Sequence, residues 1–261
     1  MNQKETNEQM RNKRIGEQNY NNQGELMTII DYRGAFDITV RFEKTKKTKD
    51  CRYSNFKRGK VKDNFLPVVS GVGFLGDIDK VDPKDREKGG AYRIWTDMIA
   101  RCYDKVRYPK YKTYNDCFVC DEWHCYANFK KWYDENFYKI DDEQMCIDKD
   151  IIIKGNKVYS PDACVFVPQR INKLFVNNKA CRGEYPLGVC LISGHQGLFA
   201  ARMKVNNKDS KSTYHHTPEE AFYSYKKMKE QRIKDIANEY KNRIPQKLYD
   251  ALYAYEIEIT D

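Results

Sequence analysis

Histidine is scarce in this chain: His124, His195, His215 and His216 are the only four among 261 residues. Any mechanism that needs an imidazole is confined to those positions, and none of them stands in a catalytic motif. Long apolar runs are also missing. Nothing approaches the roughly 20 apolar residues of a bilayer span, and the opening MNQKETNEQMRNKR has no apolar stretch that would serve as an export signal. The expectation is a protein with no membrane partner that stays in the cytoplasm where it is made. Cysteine is present but odd in number, nine in all. In a long chain without an export signal that points to thiols, mostly small core residues, rather than a disulfide framework.

What the chain does hold is basic charge, and it is concentrated. Between Lys44 and Lys62 stand nine basic residues against one acid, Asp50, so this stretch accounts for nearly all of the net charge of +9. Local charge makes a local field. Lys46, Lys47, Lys49, Arg52, Lys57, Arg58 and Lys60 are the candidate contacts to a phosphate backbone, where each neutralised phosphate releases counterions and makes binding salt-dependent. The alternative is a solvated hairpin tip.

Length and patterning predict an α+β chain of several small modules. Residues 1–14 read as a flexible tail. Residues 15–66 read as a small β module, a barrel or three-stranded sheet, with strands over Leu26–Asp31 and Phe36–Phe42, a third near Cys51, and the basic loop outward. Residues 67–180 form a central domain. In it Tyr92, Trp95, Met98, Ile99 and Cys102 keep the spacing of one buried helix face, and a second helix follows Asp121-Glu122-Trp123. A strand over Cys146–Ile151, a turn at Gly155-Asn156 and a short helix from Ser160-Pro161 toward Cys164 complete it. Residues 181–261 hold a three-stranded meander, with Tyr185–Cys190 and Leu198–Val205 as strands and a turn at Asn206-Asn207-Lys208. A helix follows, capped by Thr217 with Pro218 and Glu220 and running to about Tyr240. Leu248, Leu252 and Tyr255 suggest one more helix, and Ile257–Ile259 a strand-like end.

Three stretches together carry a family resemblance. Tyr92 to Tyr103, Val119-Cys120-Asp121-Glu122-Trp123 and Phe129-Lys130-Lys131-Trp132 look like the helical approach to a nuclease core. Ile147-Asp148-Lys149-Asp150, Gly155-Asn156, Tyr159-Ser160-Pro161, Cys164 and Val167 look like that core. Gly188-Val189, Phe199-Ala200-Ala201-Arg202 and Thr217 to Ala221 are similar to the plant ethylene-response-factor DNA-binding domain, in which three strands read the major groove and one helix supports them. In this order, over roughly residues 91–240, the pattern resembles the phage-type HNH homing endonucleases with accessory DNA-binding modules. The resemblance implies a central ββα segment, double-stranded DNA as partner, and Mg or Mn as cofactor if the nuclease is active, otherwise none.

An HNH site asks for a metal-bound carboxylate, a histidine that activates water, and a further ligand from the helix that follows. Asp148 matches the carboxylate, as metal ligand and catalytic residue. Lys149 stands where the family has its histidine, and an amine of ordinary pKa is protonated at neutral pH and cannot act as the base. Ala163, near the position of the helix ligand, has no donor atom. Asp150, Asn156, Asp162 and Asn172 are substitutes from a shifted register, Asp150 foremost. The resemblance therefore implies an impaired nuclease, or Asp148 as a turn residue.

Cys117, Cys120 and His124, with Cys125, have zinc-like spacing; the competing reading is core burial beside a strand. On the C-terminal meander Arg202, Lys204, Lys208 and Lys211 are the candidate DNA contacts. Arg202 and Lys204 alternate with Met203 and Val205, so both belong on the face opposite the apolar one. The last helix, with Lys226, Lys227, Lys229, Arg232 and Lys234, reads as support. Three functions compete: a DNA-binding protein descended from such a nuclease, an active endonuclease or nickase using Asp148, and a phage counter-defence factor that grips a host protein complex through aromatic anchors, of which 20 Tyr and 12 Phe are available.

Overall fold

The computed structural model of the chain describes residues 7–106, 114–175, 184–195, 197–205, 208–211 and 213–261. The fold is α+β, and it divides into two compact units between Glu135 and Asn136. That division falls inside the stretch 67–180.

The first unit opens with α1 (Asn7–Arg14), a polar helix where a tail is expected. It has no strong apolar stripe, yet Met10 packs on the neighbouring sheet, Arg11 reaches Asp31 at 3.1 Å and Arg14 reaches Glu17 at 3.0 Å. Tertiary partners thus make up for weak intrinsic helicity. Residues 1–6 lie outside the described residues.

An antiparallel meander follows in the order β1 (Gln18–Tyr20), β2 (Leu26–Gly34), β3 (Asp37–Phe42) and β4 (Thr48–Cys51), one strand more than expected. Alternation sets its core face. Met27 and Ile29 are buried, a register shift between Ile29 and Asp31 changes the phase, and Tyr32 is buried again; Ile38, Val40 and Phe42 alternate without interruption. Phe56 of α2 (Tyr53–Lys57) closes this core. Beyond the sheet come α3 (Pro83–Arg86), α4 (Ala91–Tyr103), β5 (Phe118–Val119), a tight turn over Asp121–His124 and α5 (Tyr126–Asn136). The expected face of α4 is buried at Trp95, Met98, Ile99 and Cys102. The Trp95 indole N–H donates to the Trp123 carbonyl at 2.7 Å, which satisfies a polar atom the burial would otherwise strand.

In the second unit β6 (Met145–Asp148) pairs antiparallel with β8 (Val165–Pro168), Asp148 opposite Val165. The long loop between them includes β7 (Val158–Tyr159), and α6 (Gln169–Asn172) follows β8 directly. The helix expected from Ser160-Pro161 is instead a turn, closed by the Cys164 N–H on the Ser160 carbonyl at 3.0 Å. The next residues, Val165-Phe166-Val167, are β-branched or aromatic and wholly buried, which favours a strand over a helix.

The remainder of this unit is a three-stranded antiparallel sheet, β9 (Val189–Leu191), β10 (Phe199–Val205) and β11 (Lys208–Lys211), with β10 in the middle, then α7 (Pro218–Glu239) and α8 (Gln246–Tyr253). Thr217 caps α7 by accepting the Glu220 N–H at 3.2 Å, and the Glu220 carboxylate accepts the His216 N–H at 3.1 Å. Ile257 to Ile259 is not a strand; the Ile257 N–H is taken by the Glu230 side chain at 2.8 Å.

A large hydrophobic cluster ties elements of this unit together. Val165, Val167 and Ile171 from the β8–α6 segment, Ala201 from β10, and Phe222, Tyr225, Ile233, Ile236 and Tyr240 on or just past α7 all belong to it. Gly188 fits α7 against the sheet. Its φ is +75°, and a Cβ there would lie 2.0 Å from the Tyr225 ring.

Candidate nucleic-acid interface and the Asp148 loop

The loop leaving β6 is held by its own side chains. The Asp148 carboxylate accepts the backbone N–H groups of Asp150 at 2.9 Å and Ile151 at 2.8 Å. Burial, and then the charge of Asp150, push its pKa up to about 6. Lys149 is only 7% exposed. Its ammonium donates to the Asp150 carboxylate at 3.0 Å and to the Asn156 carbonyl at 2.9 Å, and it lies over the Tyr159 ring. Asn156 ties the far side, donating to the Lys149 and Val158 carbonyls at 2.7 Å each and accepting the Val158 N–H at 3.1 Å.

Asp148, Lys149, Asp150 and Asn156 are therefore neighbours, as the sequence suggests, but as a stapled turn. A lysine held by hydrogen bonds to Asp150 and the Asn156 carbonyl stands where the chemistry calls for a histidine base. Ala163 lies in the turn before β8, not in the following helix, because the helix of this segment starts at Gln169. Neither Asp162 nor Asn172 hydrogen-bonds to Asp148 or Asp150. Among the described residues no group of three or more His, Cys, Asp or Glu side chains is placed to hold a metal ion. Mg or Mn thus lacks a fitting donor set here.

The zinc-like set likewise forms no metal-holding group among the described residues. Cys117 is buried, and burial raises the Cys120 thiol. The His124 ring nitrogen sits 3.3 Å from the Tyr103 hydroxyl, which also accepts the Val119 N–H at 3.1 Å. Cys125 faces the Leu75 carbonyl. These are packing and local hydrogen-bonding roles.

The basic stretch from Lys44 to Lys62 is not one loop. It becomes the β3–β4 turn, the edge strand β4, α2 and the segment beyond it. Much of its charge is neutralised where it stands: Lys46 pairs with Glu43 at 3.0 Å, Lys49 with Asp79 at 2.8 Å and Lys57 with Glu17 at 3.0 Å. Lys47 lies over the Phe65 ring and Arg52 over Phe36. Arg58 and Lys60 are exposed and make no ion pair among the described residues. The turn is anchored from below, where the Glu25 carboxylate accepts the Lys44 N–H at 3.1 Å and Asp63 accepts the Thr45 hydroxyl at 2.5 Å. A groove of about 490 Å³ beside β4 carries Lys49, Arg52, Lys60 and Lys62, but also Asp37, Asp50 and Asp79. Its charge is mixed.

On the C-terminal sheet Arg202 and Lys204 are exposed, and Met203 between them packs on the core. The side chains of Lys208 and Lys211, and the whole of Asn206 and Asn207, lie outside what the structure describes. The His215 ring nitrogen sits 3.0 Å from the Ser224 hydroxyl. Lys204 also lines a concavity of about 460 Å³ with Arg170 and Lys173 at α6, and with Lys229 and Arg232 of α7. Two of these five cations, Lys229 and Arg232, stand on the helix whose basic residues read in sequence as support. One signal does mark Lys229 in the sequence: it lies four residues after Tyr225 and four before Ile233, on the buried stripe of α7.

Comparison with protein-family models, with curated proteins and with solved structures gives no match.

Proposed function

We propose that this chain is a double-stranded-DNA-binding protein descended from an HNH-type homing nuclease of phage origin and no longer able to cut. Three features support the reading. From β6 to α6 the second unit runs strand, long loop carrying the two-residue β7, paired strand, helix, close to the order of an HNH ββα segment, with Asp148 at the end of its first strand. A three-stranded sheet with a helix packed on it follows, as in the accessory domain the sequence resembles. The sheet's central strand presents Arg202 and Lys204 to solvent.

The observation that carries the loss of chemistry is Lys149. Its side chain is buried and bonded to Asp150 and the Asn156 carbonyl, which ties up the group that stands where the family has its histidine. No helix among the described residues is long and apolar enough to cross a membrane.

The test is incubation of the purified chain with plasmid and Mg²⁺ or Mn²⁺, beside a duplex-binding assay at low and high salt. The expected result is binding that weakens steeply with salt and no cutting. Metal-dependent cutting abolished by Asp148→Ala would restore the enzyme, and salt-insensitive or absent binding would remove DNA as the partner.

A further inference from the structure

Five cations from three separate elements converge on the concavity of the second unit: Arg170 and Lys173 at α6, Lys204 on β10, Lys229 and Arg232 on α7. Carboxylates answer only part of this charge. Glu239 takes Arg170 at 2.6 Å and lies 3.9 Å from Arg232, while Glu143, in the wall, is bonded to the Tyr240 hydroxyl at 2.8 Å. Lys173, Lys204 and Lys229 have no ion-pair partner among the described residues.

Lys229 is the telling member. A position on the apolar stripe of a helix is normally filled by an aliphatic residue, because a buried ammonium without a counter-charge is costly. Here Tyr225, Ile233 and Ile236 are buried along that stripe and a lysine interrupts it. Its surroundings strip water from the ammonium and lower its pKa. The cost is recovered only when an anion arrives. Arg202, exposed two residues before Lys204 on the same strand, makes the concavity continuous with the proposed DNA-binding sheet.

From this geometry we infer that the concavity between α6, β10 and α7 is a phosphate clamp that takes the backbone of the bound nucleic acid, with Lys173, Lys204 and Lys229 as its contacts. It lies at the edge of the sheet beside α7, so the backbone passes from the exposed strand onto the supporting helix. The contacts are to phosphate and carry no base sequence information. This inference rests on the proposed DNA-binding function.

The experiment uses the full chain and a duplex of random sequence, and follows log affinity against log salt. A Lys173→Gln/Lys229→Gln double variant is compared with wild type and with Lys227→Gln/Lys247→Gln, a charge-matched control at exposed positions outside the clamp. The expected result is a salt slope smaller by about two and affinity about tenfold weaker for the clamp variant, with a much smaller change in the control. Lys229→Met, which keeps the stem and removes the charge, should weaken binding as Lys229→Gln does while leaving the melting temperature at or above that of wild type. If wild type binds and the clamp variant matches it, or if the control loses as much, the clamp is overturned while DNA binding stands. If wild type binds no duplex, the functional reading fails and the clamp falls with it.

Discussion

The basic stretch of the first unit and the concavity of the second make opposite use of similar charge. The first is conspicuous in sequence, nine basic residues within nineteen positions, yet the fold returns carboxylates to several of them from Glu17, Glu43 and Asp79. The second is assembled from residues as far apart as Arg170 and Arg232, and three of its five cations keep no ion-pair partner among the described residues. Sequence-local charge measures what is synthesised together. The field a ligand meets depends on what is folded together, and on how much has already been neutralised.

The sharpest way to break the comparison is to remove the framework of the second unit alone. Gly188→Ala puts a Cβ into the Tyr225 ring at a backbone angle that side chains rarely adopt. A loss of about 3 kcal/mol or more is expected, read as an early unfolding transition with the first unit's signal retained. Lys149→Met comes next. It strands the Asn156 carbonyl and unpairs Asp150, which is itself 47% exposed, so about 1–3 kcal/mol of stability should go in a denaturant titration. No cutting should appear in its place.

A pH series tests the same loop. Asp148 holds its proton to about pH 6, whereas the unfolded chain releases it near the ordinary carboxylate value. Between those two values the folded state binds more protons, so stability falls as pH rises through that window and is flat above it. The expected change is about 3 kcal/mol, and Asp148→Asn should abolish the slope. The smallest effect belongs to the first unit. Replacing Lys46, Lys49 and Lys57 together by Gln should alter DNA affinity less than threefold, since such exposed pairs are worth about 0–1 kcal/mol each and their charge is already answered. A larger loss there than at Lys173 and Lys229 would invert the comparison.

Legibility followed the strength of local pattern. The buried face of α4, the Thr217 cap of α7 and the Gly155-Asn156 turn are each written in a few adjacent residues, and each appears in the fold. The α1 helix is not, because its partners lie in the sheet. Nor is β1, three residues with no apolar alternation, whose pairing is dictated by β2, whereas β4 ends at Cys51, where a strand is expected. The turn at 161–163 shows how Ser-Pro imitates a helix start when the following apolar run is destined for a strand. At the site, Asp148, Lys149 and Asp150 could be picked out as neighbours in the chain, but the fate of the Lys149 ammonium depends on a carbonyl seven residues away. The concavity has no linear signature beyond a lysine interrupting a stripe.

The core that runs along α7 has a practical consequence for anyone cutting this chain into parts. The sheet-and-helix portion looks transplantable, since it has three strands and a well-capped helix. Yet Ile233, Ile236 and Ala237 rest in the same cluster as Val165, Val167 and Ile171, so a fragment starting near Tyr185 would carry that stripe bare. Such a fragment should be sticky and poorly soluble, and any graft that preserves the sheet's behaviour has to begin upstream of β6.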